Sequence, residues 1–448
     1  MLPRTKGLLA ILAWGLLMLL AAAVRAAPAG AQEPPLPAGG GAAPESLAPA
    51  AEEPLLRLAL RRLREIRDAG GWIPVPAGPP LRPGDRSPRV AALRARLAQN
   101  CEWLPADDPA VFDTTLAAAV RRFQRRCGLP DDGVAGSRTL AALNTPVTER
   151  IRQVMVNLHR LRRALAEGPP PSRRIEVNIP DYRLRYEVDG RTVLSMPVVV
   201  GRPDRPTPEL VSAVERLRLN PAWNVPQKLA REDLLPRLRR DPGFASRLRL
   251  RVFASWADGA PELDPAAIDW NAVRPERMAY RLSAAPGDRN PLGRILFLFP
   301  NPWSVFLHDT SHRELFSRSR RCFSSGCVRV ARPLALARAV LAGDPAGDPA
   351  RLDSLLAGGR TVELPLAEPV PVVITYRTAW VDAGGTLQFR EDIYGRDAAL
   401  WAELQRREPT LALAAPPAGS RDRSPGAVRS GVQVHEVVAP VQAHPARP

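Results

Sequence analysis

Lysine is almost missing from this chain. Of its 63 basic residues only Lys6 and Lys228 are lysine, and the residue three places before Lys228 is Val225. A serine nucleophile in an SxxK setting is therefore excluded, as is the GK pair of a phosphate-binding loop. Histidine is nearly as scarce, with His159, His308, His312, His435 and His444 making up all five. No HExxH and no close Cys/His cluster occurs, so the pattern calls for no metal and no cofactor. After the first 31 residues no apolar run is long enough to cross a bilayer.

The N-terminus has Arg4 and Lys6, an apolar run from Gly7 to Val24, and small residues ending at Ala31. This is the layout of an export signal over residues 1–31, which predicts a periplasmic protein cleaved after Ala31; if uncleaved, the run is a membrane anchor. Cleavage removes three basic residues and no acid, taking the formal charge from +17 to +14. The mature chain stays basic, which suits an anionic partner. An exported chain meets the cell envelope, so nucleic acid is not expected.

Residues 32–52 are rich in Pro, Ala and Gly and predict a flexible linker. Leu55, Leu58, Leu60, Leu63 and Ile66 then recur at helical spacing up to Gly70-Gly71. Residues 83–145 predict three short helices, SPRVAALRARLAQ, DTTLAAAVRRFQRRCGL and GSRTLAALN, set apart by Pro, Asp and Gly. A further helix carries Ile151, Val154, Leu158 and Leu161 on one face and is expected to pack on the first; segments 53–82 and 146–170 thus form a helical scaffold. Beyond residue 171 the period changes to two, with Asp189-Gly190 as a hairpin turn, and a β domain runs over 173–405. Its strand pattern is interrupted at 220–282 by a Pro- and Trp-containing, partly helical insertion. Residues 406–448 lack any period and predict a disordered tail. The fold class is multidomain α+β.

The chemistry concentrates in one stretch, FLHDTSHRELFSRSRRCFSSGCVRV, from Phe306 to Val330. Cys327 follows Ser324-Ser325-Gly326, where glycine lets the backbone turn tightly and leaves the Gly326 and Cys327 amides as candidate oxyanion donors. His308, nineteen residues earlier at the end of an apolar β run, is placed to sit on a neighbouring strand beside the thiol as its base. A backbone carbonyl or Asp309 would orient it. Arg329, two residues past the cysteine, shares its face in extended backbone and suits a substrate carboxylate. His312 is expected at the rim. A lone cysteine is more often a core residue; here the glycine, the flanking serines and the shortage of other histidines favour the dyad.

These segments resemble a known family. GLPDDGVAGSRTLAAL, from Gly128 to Leu143, with Val90, Leu93, Leu97 and Phe123-Gln124, is similar to the small three-helix peptidoglycan-binding domain. HDT followed by SSGCVRV resembles the His and SxGCxR signature of the L,D-transpeptidases, and GGWIPVPAGP, VNIPDYRL, VVVGRPDRPTP, NPAWNVP and DIYGRD resemble its large periplasmic members. One departure is Ser325, where many relatives have His. The resemblance implies that Cys327 attacks a donor tetrapeptide stem, releases D-Ala, and yields a 3→3 cross-link when the amine of an acceptor stem resolves the acyl-enzyme. It also implies acylation by carbapenems, a role in cell-wall remodelling alongside other wall-synthesis enzymes, and a lid over the site formed by the insertion. Ser324, Ser325, Asp309 and Thr310, with Trp223 and Asn224 on the lid, are the expected substrate contacts.

Other readings stay open. An L,D-carboxypeptidase would let water resolve the same acyl-enzyme, and a non-catalytic scaffold would keep the bundle beside a damaged dyad. Papain-like enzymes place Cys before His, the reverse of the order here. In an oxidising compartment four cysteines suggest two disulfides, but a Cys322–Cys327 bond would cap the nucleophile. A single Cys101–Cys127 bond between antiparallel helices is expected instead, stabilising by about 3 to 4 kcal/mol in the chain-entropy model, with Cys322 buried and reduced.

Overall fold

Two antiparallel helices open the structure, a computed structural model that describes residues 47–100, 104–241 and 243–407. The expected export signal, most of the linker, Cys101 and nearly all of the tail lie outside the described residues. Helix α1 (Pro49–Asp68) buries Leu56, Leu60 and Leu63, and α5 (Val147–Ala166) answers with Ile151, Val154, Leu158 and Leu161. Leu58, expected on the buried face, is exposed, because the stripe steps through 56, 60 and 63 at helical spacing. A buried ion pair fastens α1 to the rest of the fold, with Arg377 donating to Glu52.

Between them lie α2 (Pro88–Ala98), α3 (Thr114–Arg126) and α4 (Ser137–Leu143), around Val90, Leu93, Leu97, Leu116, Val120, Phe123 and Leu143. Asp113 caps α3 by accepting from the Leu116 amide at 2.7 Å. Gln124, fully buried, explains the turn chemistry of GLPDDG. Its Nε2 donates to Asp132, the Val134 carbonyl and Thr139 Oγ1, and its Oε1 accepts from the Gly133 amide at 2.9 Å. Gly133, at φ +77°, supplies the backbone turn that brings that amide inward.

The C-terminal half is a closed β-barrel. Strands β1 (Arg173–Asn178), β2 (Arg183–Val188), β3 (Arg191–Gly201) and β4 (Leu210–Leu219) come first. The insertion supplies β5 (Trp223–Asn224), β6 (Leu250–Phe253), β7 (Glu262–Leu263) and β8 (Arg281–Ala284). The barrel resumes with β9 (Ile295–Leu298), β10 (Leu307–His308), β11 (Cys322–Ser324), β12 (Val328–Val330) and β13 (Val362–Thr375). Neighbours run β3-β12-β10-β9-β4-β13-β1-β2, and β2 pairs back to β3 to close the ring, while β11 adds to the end of β3. Asp189 and Gly190, both at positive φ, make the β2–β3 hairpin turn. β13 is a single strand with a bulge between Pro365 and Val370. Proline cannot donate to a ladder, and the bulge absorbs that defect. A short hairpin, β14 (Ala379–Val381) with β15 (Leu387–Phe389), packs on the α1–α5 pair.

The insertion is a small domain with its own core. It leaves the barrel after Leu219 and returns before Ile295, two residues that are paired in the ladder, so it stands where a β4–β9 hairpin turn would be. Its sheet runs β5-β8-β6-β7, with helical turns over Gln227–Arg240 and Phe244–Arg247. Val225, Leu234, Leu235, Leu238, Val252, Trp270, Met278 and Leu282 fill the centre. At its base Asn290 Nδ2 donates to the Pro221 carbonyl at 2.8 Å, and Asn220 Nδ2 reaches the Leu355 and Leu356 carbonyls.

The part through Glu403 forms one compact unit. The unit that begins at Leu404 is described only through Arg407, the last turn of the helix Arg396–Arg407.

Candidate active site

Strand register brings the sequence candidates together. β10 and β12 pair in parallel, with Leu307 level with Val328 and His308 level with Arg329. Leu307, Val328 and Val330 point into the barrel core. Alternation along each strand therefore turns His308 and Arg329 to the opposite face, and Cys327 stands immediately before Val328 at the start of β12. The Arg329 charge acts on both other groups, helping to lower the thiol and the imidazole.

His308 is buried and its Nδ1 lies 2.5 Å from the Asp309 carbonyl oxygen. A carbonyl can only accept, so Nδ1 carries the hydrogen and Nε2 is left as the basic nitrogen. The Leu292 carbonyl also faces the ring. Burial, aided by the Arg329 charge, pushes the imidazole from 6.5 down to about 3. It is neutral at physiological pH. The thiol goes the other way. Burial lifts Cys327 above its ordinary 9.0, against the pull of the Phe306 amide and the Arg329 charge. The resting pair is thus thiol and neutral imidazole rather than thiolate and imidazolium. The Cys327 sulphur lies 3.8 Å from the Ser304 carbonyl. Ser304 holds φ +53° in a loop pinned by Asn301, whose amide side chain bridges the Phe299 and Val305 carbonyls and the Trp303 and Val305 amides. This loop leaves β10 only Leu307 and His308.

The nucleophile turn is built around Gly326, at φ +119°. Its amide donates to Ser324 Oγ at 3.2 Å, and that hydroxyl in turn donates to the Cys327 carbonyl at 2.5 Å. The expected pair of oxyanion donors is thereby reduced. The Gly326 amide has an internal acceptor, whereas the Cys327 amide has none among the described residues. Ser324 is a buried brace of the turn rather than a substrate contact. Thr207 completes it, donating from Oγ1 to the Gly326 carbonyl at 2.8 Å and accepting from the Gly201 amide at 2.8 Å.

Several expected contacts lie elsewhere. The Asp309 carboxylate is turned inward, accepting from the Arg294 and Thr310 amides and from Arg313, and burial raises its pKa. Its partner loop comes so close that a Cβ on Gly293 would lie 2.3 Å from Asp309 Cγ. It is the carbonyl of Asp309, not its side chain, that holds His308. Thr310 is buried and accepts from the His312 amide at 3.1 Å. Trp223 and Asn224 belong to the insertion's sheet. Trp223 packs against that domain's core and Asn224 Oδ1 accepts from Ser283 Oγ at 3.1 Å. Ser325 is exposed and sits 3.2 Å from Arg205 Nη1 and 3.4 Å from Asp233. His312 is exposed beside Glu314. Cys127 and Cys322 carry free thiols; the pairing proposed for Cys127 falls on Cys101, outside the described residues. Cys322 is buried, receiving the Tyr182 hydroxyl at 3.9 Å. The residues missed from sequence are Arg205, Glu232 and Asp233, far from the cysteine in the chain; Arg205 lies within VVVGRPDRPTP, but nothing local gives it a role, and Glu232 and Asp233 are marked by no motif. Arg329 stays a candidate for a carboxylate, since its buried Nε has no partner among the described residues. No three His, Cys, Asp or Glu side chains converge in a metal-binding group among the described residues.

Two family models match this chain. Residues 172–349, which hold every member of the constellation, match the L,D-transpeptidase catalytic domain, and residues 86–143 match a "Putative peptidoglycan binding domain". Residues 172–349 are an L,D-transpeptidase domain. A Haemophilus influenzae protein named "Putative L,D-transpeptidase" is 37% identical over 223 residues, which is 50% of this chain and 44% of that protein. The chain thus spans less than half the length of this curated relative. Among solved structures, the L,D-transpeptidase of Xylanimonas cellulosilytica is 17% identical, with 67% of this chain and 99% of that chain covered and a TM-score of 0.20. That of Stackebrandtia nassauensis is 13% identical, with 67% and 96% covered and a TM-score of 0.24. Assignment of the L,D-transpeptidase domain rests on the sequence matches and on the site it encloses, not on these overlays.

Proposed function

We propose that this chain is an exported, periplasmic L,D-transpeptidase that forms 3→3 cross-links in peptidoglycan through a Cys327 acyl-enzyme. The observation that carries the reading is that His308 and Arg329 are level on paired strands, with the Arg329 charge acting on both the imidazole and the Cys327 thiol, beside a Cys327 amide that has no acceptor among the described residues. In the first half-reaction the thiol turns from the Ser304 carbonyl and passes its proton to His308 Nε2 while sulphur bonds to the donor carbonyl carbon. The C–N bond to D-Ala breaks, and its nitrogen takes the proton back from the imidazole. The Cys327 amide faces the developing oxyanion, and Arg329 holds a substrate carboxylate by a charge-assisted contact. In the second half-reaction the acceptor amine gives its proton to His308, bonds to the same carbon and releases the sulphur, which is reprotonated. The bundle over 86–143 supports peptidoglycan as the surface on which this occurs.

The test is incubation of the mature protein with tetrapeptide-rich sacculi followed by mass spectrometry of the muropeptides. Cross-linked dimers with loss of D-Ala support the reading, tripeptide alone turns it into a carboxypeptidase, and no change refutes it. Cys327→Ala must lose all turnover; 3→3 dimers from that variant would displace the nucleophile.

A further inference from the structure

We propose that Arg205 is a positioning residue that latches the insertion to the nucleophile turn, so that seating of the insertion and the geometry around Cys327 form one equilibrium. This rests on the reading of Cys327 as the acylated thiol.

The barrel side of the latch is rigid. The loop after β3 docks on β11 through Arg202, whose amide donates to the Ser324 carbonyl at 2.9 Å, and on the turn through Thr207, bonded to the Gly326 carbonyl. It folds back so tightly that a Cβ on Gly201 would lie 2.2 Å from the Arg205 carbonyl oxygen and 2.7 Å from the Thr207 amide nitrogen. Backbone cannot yield as a side chain can, so only glycine fits there. Arg205 is thus carried on a frame bonded to residues on both sides of Ser325.

Its side chain, only 12% exposed, spans to the insertion. Nη1 lies 2.7 Å from Asp233 Oδ2 and 3.2 Å from Ser325 Oγ, and Nη2 pairs with Glu232. Ser325 itself reaches Asp233 Oδ2 at 3.4 Å, and Arg202 adds a looser contact at 3.7 Å. Glu232 and Asp233 sit on the π-helical turn Ala230–Leu234, whose Ala230 and Leu234 are buried in the insertion's own core. Among the described residues, every ion pair between the insertion and the barrel runs through Arg202 or Arg205. A planar fork that holds two carboxylates and a hydroxyl at once is a task for arginine; a lysine in its place keeps one ion pair and loses the bridge.

The probe is a carbapenem, whose strained carbonyl acylates Cys327 with no leaving group, read as the second-order rate of adduct formation by intact-protein mass. Arg205→Gln and Asp233→Asn should each slow acylation by about tenfold, and the double variant should be no slower than the worse single, as partners in one contact behave. Arg205→Lys should fall between. Hydrogen exchange should rise over 227–240 and stay unchanged in β3 and β12. Two singles that acylate at the wild-type rate, losses that multiply in the double variant, or unchanged exchange over 227–240 each overturn the latch. If Arg205→Gln fails to fold, Asp233→Asn carries the test from the other side. Labelling that persists in Cys327→Ala refutes the nucleophile instead, which keeps the two failures apart.

Discussion

Acidification should destabilise this protein through His308 in a way that can be calculated. In the folded chain the ring is buried beside Arg329 and its pKa falls from 6.5 to about 3. The unfolded chain has no such burial and takes a proton near 6.5. The stabilising preference for the neutral form is therefore fully present above pH 6.5 and is lost as pH falls towards 3. Between pH 7.5 and pH 5 the unfolded imidazole becomes almost fully charged while the folded one stays neutral, which costs about 2 kcal/mol by linkage. Carboxylates also titrate over this range, so the quantity to follow is the difference between wild type and His308→Gln, in which shared groups cancel. Urea unfolding at both pH values, followed by tryptophan fluorescence, should show wild type losing about 2 kcal/mol relative to the variant. A difference constant to within about 0.5 kcal/mol would mean that the ring is charged or exposed in the folded state, and the neutral-pair mechanism would fall with it.

Cys327 should alkylate slowly at neutral pH, with the iodoacetamide rate rising about tenfold per pH unit up to at least pH 8.5, because burial lifts the thiol; a plateau reaching down to pH 6 would reveal a preformed thiolate. Gly293→Ala forces a Cβ into Asp309 at φ +62° and should cost about 2 to 4 kcal/mol in thermal unfolding, and a stability loss under about 0.5 kcal/mol would show that the Asp309 loop yields. Thr207→Val strands the Gly326 carbonyl and the Gly201 amide, for a cost of about 1 to 3 kcal/mol; turnover should drop as well, and a fully active, equally stable variant would contradict its role under the nucleophile turn. Glu52→Gln removes the carboxylate to which Arg377 donates beneath α1 and should cost about 1 to 3 kcal/mol, with Glu176 and Glu187 still acting on the guanidinium, measured as a fall in melting temperature.

Local patterns were the legible ones. The α1–α5 pair, the three-helix bundle and the Asp189-Gly190 hairpin follow from periodicity and turn chemistry within about twenty residues. His308 and Cys327 were also readable, because a histidine at a strand end and a cysteine after glycine each carry a local reason. What stayed hidden depends on partners far along the chain. Whether the Gly326 amide is free depends on where the Ser324 hydroxyl turns, and whether Asp309 faces substrate depends on the loop at Gly293. The break in PLAEPVP reads as the end of a strand, yet the ladder to β4 resumes after a bulge. Trp223 and Asn224 read as substrate contacts because nothing local announces that 220–282 has a core of its own, against which Trp223 packs while Asn224 stays exposed.

One joint between bundle and barrel bears on how the proposed reaction would meet a polymer. Arg390 bonds Asp181 on the barrel at 2.7 Å and the Arg126 carbonyl at the end of α3 at 3.1 Å, lying so close to Gly128 that a Cβ there would strike its Cδ. Arg138 of α4 reaches Ser319, eight residues before the nucleophile, at 2.8 Å. The bundle is thus carried as a fixed arm rather than on a tether. A tether would let the thiol sweep a volume and take whichever stem drifts in, with local concentration set by linker length. A fixed arm instead imposes an offset and an orientation, so under the proposed function a strand held by the bundle would present to Cys327 only those stems whose spacing and rotation along the glycan match that offset. On such an arm the geometry of the wall, more than the abundance of stems, selects where a bond is made.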